Sequence, residues 1–581
     1  MKTEKHKVDV AVIGGGLTGI CAALAAARHG VKVALIHDRP VLGGACSSEM
    51  RVHIGGADSQ NPDMRETGIL EELRLENLRR NPQSSYSLWD TILYEKVKME
   101  PQLELFLNTT CFQARTKGRR IENVTGWQLT TETKHLVKAE VFIDCSGDGI
   151  LAPLTGARFR WGREARSEFN ESHAPEKADK KTMGMTCLFQ ARKTDSPQPF
   201  EPPAWAYDFP EEEDLPYGQA GHRYFQMGYW WLEMGGENDS IYDAERVRDE
   251  LLKIVLGVWD HIKNHCVHRE EAASWVLDWI QFLPCRRESR RYVTEYIMTQ
   301  NDIEAGGQFE DTVAYGGWPM DDHHPGGFLH PEYKKQATTF YPTPCPYGIS
   351  YRVFCPKDID NLLCAGRCAG FTHMALSSAR VMGSCATMGQ AVGTASSLAV
   401  KEGYEKVLTV GQEKIKMLQQ LLLRDDCFLP GIRQEFSDLT KNASLLASSG
   451  NPEVLRDGWS RPLSDSSHRW ECQAGDQVTY LLEKLSLVNQ VRIVFDSAFH
   501  RRITMSLHGN YGQLTYPPPE LIRCFHLEVK KSGQWETVHR SQNNCQRLVI
   551  IPLGKEVEGV KLVVDGTWGN ERTGLYAFYL E

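Results

Sequence analysis

The sequence predicts an α/β protein that carries an inserted α+β lobe and ends in an all-β sandwich. Three observations carry this. A glycine turn, Gly14-Gly15-Gly16-Leu17-Thr18-Gly19, separates an apolar strand from an alanine-rich helix. A second strand, glycine turn and small-residue helix return from Asn361 onward. From about residue 450 the pattern changes to short alternating strands with turn signals between them.

Taken in order, Val8, Val10, Val12 and Ile13 form the first strand, and its early start leaves no room for a secretory signal. The first helix is expected over 17–29, where Ala23, Ala27 and Gly30 let it lie close to a sheet, and a second strand over 31–36. Residues 66–99 read as helical, with Leu70, Leu73 and Leu78 on one face. Short strands follow over 101–145 and end in Val141-Phe142-Ile143. The stretch 158–345 is richer in Trp, Pro and charge; its acidic run from Phe209 to Asp214 reads as a surface loop and 244–266 as a helix. Helices are expected over 379–401 and 403–424. In the last part Phe525–Val529 and Trp535–Val538 flank the hairpin signal Lys530-Lys531-Ser532-Gly533-Gln534. The expected units are 1–157 and 346–402 for a split first domain, 158–345 for the inserted lobe, 403–449 for a helical connector and 450–581 for the sandwich.

Composition narrows the function classes. The chain has 581 residues, of which 41% are hydrophobic, and a formal net charge of −9. No apolar run is long enough to span a membrane, and the charge gives no general attraction to nucleic acid. Sixteen cysteines are present, but no Cys-x-x-Cys pair; Cys364-Ala-Gly-Arg-Cys368 stands alone, and Cys21, Cys111, Cys145, Cys187 and Cys385 fall inside apparent strands or helices. Reduced thiols and a cytoplasmic location are expected.

The first glycine turn has the context that a dinucleotide site needs, because it follows a strand, opens a helix and leads to a second strand. Gly14 permits the tight turn, Gly16 lets backbone approach a pyrophosphate, and Gly19 allows helix–strand packing. The helix N-terminus offers N–H groups and partial positive charge. An acid is expected at the end of the second strand for the ribose; that position is His37, with Asp38 next and Arg39 after it. Either His37 or Asp38 takes the ribose. Leu42-Gly43-Gly44 and the run from Phe142 to Gly149 are features of flavin proteins, and Asn361 to Arg367 supplies a third element of the same site.

With these segments the chain resembles the FAD-dependent oxidoreductases of the glutathione-reductase-like flavoprotein superfamily, specifically the bacterial "xanthan lyase-like" group. The matching segments include His37 to Gly44, Ser47-Ser48-Glu49-Met50-Arg51-Val52-His53, Phe142 to Gly149, Arg286 to Arg291, Tyr315 to Pro319, Asn361 to Arg367, His373 to Leu376, Arg380 to Met382, and Gly389 to Gly393. The resemblance covers about 8–400 and departs at His37, where relatives carry an acid. It implies a Rossmann-like fold and bound FAD. Gly14, Gly16 and Gly19, with Leu17 and Thr18, would cradle the pyrophosphate, and backbone near Cys111 and Phe112 the adenine. Arg39, Gly43, Gly44, Ser47, Ser48 and Ser146 would join the cradle. Gly147, Asp148, Gly366, Arg367, Met382 and Gly383 would hold the ribityl–flavin end.

Only one dinucleotide fingerprint is present, and no Cys-x-x-x-x-Cys follows it. The flavin is therefore expected to exchange electrons directly with a small substrate and then with an external acceptor. His373 and His53 are the candidate acid/base groups, since histidine titrates near neutrality; His53 is also a candidate for covalent flavin attachment. Arg287, with Glu288 and Arg290, either binds substrate or belongs to a salt-bridge network, and Arg51, Arg380 and Glu49 carry the same two readings. His261, His265 and His268 read as a solvated helix face, and no metal site is expected. The run from Asp321 to Pro325 reads as a polar loop that could line a substrate pocket. Asp457 to Pro462, Trp470 and Val491 to Phe495 resemble galactose-binding-like sandwiches, so a sugar or sugar acid is the expected substrate. The alternatives are a fumarate-reductase-like C=C reductase and a carbohydrate-binding flavoprotein whose FAD is structural.

Overall fold

Four short apolar segments and one late arrival build the central sheet of this computed structural model, which describes residues 2–217, 221–222, 224–464, 466–506 and 512–581. Val10–Ile13 lies at the middle of five parallel strands, in the order Leu362–Cys364, Val141–Asp144, Val10–Ile13, Val33–Ile36, Leu103–Phe106. The first four strands in sequence lie within the first 144 residues; the fifth, Leu362–Cys364, joins the edge only after the whole inserted lobe. Nearly all side chains of these strands are buried, as a parallel sheet covered on both faces requires.

Two helices cross on this sheet, Leu17–Arg28 and Met382–Lys401. They touch through backbone. A Cβ on Gly389 would lie 2.1 Å from the Thr18 carbonyl oxygen, and one on Gly393 only 2.2 Å from that of Ala22. The small-residue pattern read from the sequence is thus the condition for this crossing.

Several expectations need correction. Residues 2–7 form a strand, Lys2–Lys7, paired parallel with Thr133–Lys138 in a four-stranded sheet with Arg120–Gln128 and Thr109–Lys117. The helix expected over 66–99 is two, Ile69–Arg80 and Tyr86–Lys98, parted at Asn81-Pro82, where proline cannot continue an α-helix. The helix expected over 379–401 is present as Met382–Lys401, preceded by a short separate helix, His373–Ala379, whereas that at 403–424 breaks into Leu408–Glu413 and Ile415–Arg424.

The inserted lobe has its own apolar core around Phe189, Tyr229, Trp231, Leu251, Val255 and Trp259, and small antiparallel sheets with the helix Ala244–Asp260. Its boundary is not clean at 345, because Val313 and Ala314 of strand Thr312–Gly316 pack in the core of the first domain.

The C-terminal unit is one seven-stranded antiparallel sheet wrapped around a core of Val478, Ile493, Phe525, Leu562 and Phe578. Two very long strands, Gln477–Phe495 and Leu548–Thr567, bend through register shifts and serve both sides of it. The expected hairpin is present, with Ile522–Lys531 antiparallel to Gln534–Ser541 and Gly533 at φ +77°. The sheet already includes Ser444–Ala447, ahead of the boundary expected at 450.

This unit is locked to the first domain by buried arginines. Arg65 pairs with Glu71 at 2.8 Å and donates to the backbone carbonyls of Ser497 and Arg501 at 3.0 and 2.8 Å. Arg461 reaches back to the carbonyls of Asp63 and Arg65, and Arg547 pairs with Asp426 at 2.8 Å.

Candidate functional site

The glycine turn is fixed from below and open on one side. Gly14 sits at φ +103°, and a Cβ there would run into the Cys145 carbonyl. A Cβ on Gly19 would strike the Gly14 carbonyl oxygen at 1.8 Å. Gly16 differs: an added Cβ would meet nothing nearer than Gly44 Cα at 4.0 Å, so the backbone there is approachable. Gly16 is also the N-cap of Leu17–Arg28 and has no side-chain cap, which leaves the helix start free for an anion. Gly43 pairs with Gly16 and donates its N–H to Gly15 O at 2.9 Å, while Gly44 lies against Gly16.

His37 is a structural part of this turn. It is buried; its Nδ1 accepts the Gly15 N–H at 3.0 Å, so its Nε2 carries the proton and donates to Val41 O at 3.0 Å. Burial holds its pKa below the ordinary histidine value. Both ring nitrogens are spent inside the protein. Asp38, by contrast, is exposed at the same strand end. Arg39 forms a two-pronged pair with Glu49. Ser47 donates to Gly44 O at 2.7 Å and the Ser48 N–H to Asp90 at 3.1 Å, so both shape the loop after the second strand. Phe112 is exposed on strand Thr109–Lys117, with Cys111 buried beside it.

A second group of predicted residues meets where Val141–Asp144 and Leu362–Cys364 end. Ser146 folds its hydroxyl and N–H onto Asp144. Gly147 (φ +79°) makes room for the Arg367 guanidinium, which stands 2.5 Å from where its Cβ would be. Asp148 accepts from Arg286 at 2.8 Å, Ser289 at 2.7 Å and Arg367 at 3.3 Å. Burial would raise its pKa, but Arg367 and Arg286 outweigh this and hold it low. Gly366 (φ +82°) lies against Thr18. Arg367 Nη1 and Ser384 Oγ are buried with no hydrogen-bond partner. Met382 and Gly383 start the long helix, and Gly383 donates to Gly55 O at 2.8 Å.

Glu66, which sequence reasoning missed, fills the space between Gly56 and Gly383. A Cβ on either glycine would come within 2.3–2.7 Å of its carboxylate. Burial pushes Glu66 up to about 6, and its Oε2 has no hydrogen-bond partner, with the Arg74 guanidinium 3.7 Å away.

His373 stands in a wholly charged interior. Its Nδ1 lies 2.8 Å from Glu288 and its Nε2 3.0 Å from Asp322. Its backbone N–H donates to Glu164 at 2.8 Å, and Glu164 pairs with Arg291 at 2.9 Å. Burial alone would lower the histidine, yet the two carboxylates outweigh it and lift His373 to about 10. Glu164 is driven the other way: burial opposes ionisation, but Arg291 and the His373 N–H hold it at about 2.

Strand Met320–His323 divides this network, since successive side chains face opposite ways. Asp322 faces His373. Asp321 and His323 face a second cluster, where His323 bonds Glu233 at 2.6 Å and Arg380 pairs with Asp321 at 3.1 Å. Arg287 belongs to that second cluster, 3.3 Å from Glu233, with its other bonds to Thr186 Oγ1 and Trp230 O. Trp230 and Tyr217, both exposed, stand over it with rings 5.9 Å apart, and Trp230 meets the His323 ring edge-on at 5.7 Å. The polar run 321–325 is thus a loop only from His324 on; Asp321 to His323 lie on a strand that carries both clusters. Glu164 and Glu233 were not singled out from sequence; they are isolated acids with no spacing signal.

Two predicted residues lie elsewhere. His53 lines a cavity of about 20 Å³ with Cys46, Arg74, Trp89 and Met505, at the seam with the C-terminal unit. His261 is wholly buried, not on a solvated face, because Ala244–Asp260 passes into a π-helical turn, His261–His265. All sixteen cysteines are free thiols. Among the described residues no helix is long and apolar enough to cross a membrane.

A parallel sheet whose glycine turn opens its first helix, with Arg367 Nη1 and Ser384 Oγ buried without hydrogen-bond partners near the ends of its strands, is the arrangement of a nucleotide-binding α/β protein. The comparison with protein families makes this specific: the family model described as FAD dependent oxidoreductase matches residues 9–422, and the chain belongs to that family. No curated protein matches the chain. Among solved structures, the chain is similar to a geranylgeranyl bacteriochlorophyll reductase-like protein from Thermoplasma acidophilum, at 11% identity and TM-score 0.34, over 73% of this chain and 88% of that one. It is also similar to the family 32 carbohydrate-binding module of Streptococcus pneumoniae EndoD, at 18% identity and TM-score 0.19, over 25% of this chain and 99% of that one. A family 32 module of Clostridium perfringens NanJ, solved with galactose, matches at 10% identity and TM-score 0.18, over 24% of this chain and 93% of that one.

Proposed function

We propose that the chain binds FAD between the Gly16 turn and the Asp148–Arg367–Gly383 end, and exchanges hydride with a small polar substrate, a sugar, glycoside or sugar acid. The bare backbone at Gly16, the exposed carboxylate of Asp38 and the unpartnered Arg367 Nη1 and Ser384 Oγ fit the pyrophosphate, ribose and flavin ends of such a cofactor. Bound FAD supplies acceptance and return of two electrons. The protein's part is to orient the substrate and move a proton.

The observation that carries the reading is His373 between Glu288 and Asp322. With its pKa lifted to about 10, the ring rests as an imidazolium at neutral pH with both N–H groups held by the carboxylates; when a C–OH group gives hydride to the flavin, the released proton would pass to this array through Asp322, and in the reverse direction the array would return it. Arg287 and the Tyr217–Trp230 pair supply a fork of donors and an aromatic face, the two features that hydroxyl-rich rings engage. The free thiols fit a reducing cytoplasm. A C-terminal sheet like those of carbohydrate-binding modules fits a sugar substrate.

A second reading, reduction of a C=C bond beside a carboxylate, draws on the same protonated His373 and on Arg287 and Arg380. Anaerobic mixing separates the two. Sugars or sugar acids that bleach the flavin support the first; an unsaturated acid that reoxidises chemically reduced flavin supports the second. If no ligand changes the flavin spectrum while glycans still bind the protein, the FAD is structural and both readings fall. Purified protein with neither flavin absorbance nor affinity for added FAD would sink the cofactor assignment itself.

A further inference from the structure

The inserted lobe holds a second cluster of chemically able side chains, apart from the glycine turn and from His373. Glu212, His222, His261 and Cys266 bring one ligand atom each to within 4.8 Å of one another. His222, His261 and Cys266 are buried and Glu212 is half-buried. His222 Nε2 lies 3.0 Å from Glu212 Oε2 and 2.8 Å from Cys266 Sγ; His261 Nε2 lies 3.6 Å from Glu212 Oε2.

The hydrogen bonds around this cluster aim its lone pairs inward. His261 Nδ1 is 2.7 Å from the Phe209 carbonyl, which only accepts, so Nδ1 carries the proton and Nε2 offers a lone pair. Glu212 Oε1 takes the Val267 N–H at 2.8 Å, which leaves Oε2 to the cluster. Cys266 Sγ takes the His268 N–H at 3.2 Å. His261 Nε2 has no hydrogen-bond partner although His261 is fully buried, and it faces Glu212 Oε2, whose own near neighbour is His222 Nε2 at 3.0 Å. A lone pair of a fully buried ring turned toward a carboxylate oxygen, with no donor between them, is costly unless a cation stands there.

The backbone is shaped for the same end. Residues five apart on an α-helix point about 140° away from each other. The π-helical turn His261–His265, closed by Cys266 N donating to His261 O at 2.7 Å, brings Cys266 round to the side of His261. π-Bulges of this kind concentrate at functional sites.

We infer that Glu212, His222, His261 and Cys266 form a closed, four-coordinate site for a zinc ion. A thiolate, two neutral imidazoles and a carboxylate make a mixed S/N/O set that suits zinc, and the two negative ligands cancel the dication in a buried place. Tetrahedral zinc needs ligand atoms roughly 3.3–3.6 Å apart, so shifts of under about 1 Å open the cluster around the ion. Each of Glu212, His261 and Cys266 already has an outer partner that holds its orientation, as metal ligands do. With four protein ligands no position is left for water, so the ion is structural: it ties Glu212 and His222 to the end of the long lobe helix.

Elemental analysis of the purified full-length holoenzyme, dialysed against a weak chelator, tests this. One zinc per chain is expected, falling below a tenth in Cys266→Ser and in His261→Ala while flavin content is kept. Alkylation of wild-type protein mapped by mass spectrometry needs no variant: Cys266 should be protected as isolated and become reactive after a strong chelator, and added zinc should restore protection. Less than a tenth of a zinc in the wild type, equal zinc in wild type and both variants, or Cys266 alkylation unchanged by chelator overturns the inference.

Discussion

Around Val10–Ile13 the interior is made of side chains with almost nothing to hydrogen-bond, and its precision comes from backbone brought to backbone through Gly19, Gly389 and Gly393. Around His373 the interior is made of charges: Glu164, Glu288, Arg291 and His373 interlock with hardly any solvent contact, and Asp322 closes the network from its half-buried edge. The first region is specified by the absence of atoms and tolerates no addition. The second is specified by mutual satisfaction and tolerates no removal, since each unpaired charge would face a low-dielectric interior alone. A cofactor suits the first kind of wall, and proton transfer suits the second.

Removal and addition test that contrast directly. Glu288→Ala strips one carboxylate from both His373 and Arg291 and should cost about 3–5 kcal/mol; a denaturant midpoint that barely moves would mean the charges are screened by water. Gly393→Ala adds one methyl against the Ala22 carbonyl and should cost about 1–3 kcal/mol, read in the same way, with partial loss of bound flavin. For His373, a pKa raised in the folded state stabilises fully below the ordinary value near 6.5, and that contribution is lost as pH climbs through about 10. The stability gap between wild type and His373→Asn should therefore shrink from pH 7 to 10, by up to about 1.4 kcal/mol per pH unit; a gap constant with pH would show that the ring is neutral. Asp38→Asn should weaken FAD retention about tenfold, the worth of one charge-assisted hydrogen bond, measured by titrating apoprotein with FAD. At the small end, Arg158→Ala breaks an exposed pair with Asp358 and should leave the midpoint unchanged.

Much of the apolar region was legible in the sequence, because glycine and alanine at packing positions and runs of Val and Ile leave a periodic trace. The strand at Val10–Ile13, the turn at Gly14 to Gly19, the helix Leu17–Arg28 and the hairpin at Gly533 all fell near their expected places. Lys2–Lys7 was not legible: it is an exposed, charged edge strand held by main-chain bonds to Thr133–Lys138, so it has no apolar alternation. The charged interior was half legible. Arg287, Glu288 and the run 321–325 drew notice as polar clusters, yet their division across a strand into two networks follows only from pairing with Glu164, Glu233 and Arg291. His37 shows the limit of motif reading, since a residue in a ligand position serves the turn instead. His261 shows the limit of periodicity, because a π-helical turn breaks the spacing on which a solvated face was inferred.

The late edge strand has a consequence for synthesis on the ribosome. Roughly 220 residues separate Asp144 from Leu362, which at about 5–20 residues per second amounts to roughly 10–40 s of translation. Throughout that interval Val141–Asp144 is an open edge on the nascent chain, and the groove that Met382–Lys401 later covers is bare. The apolar half of the protein therefore waits, exposed, for the lobe to be made, which marks this edge as the place where a chaperone would be needed.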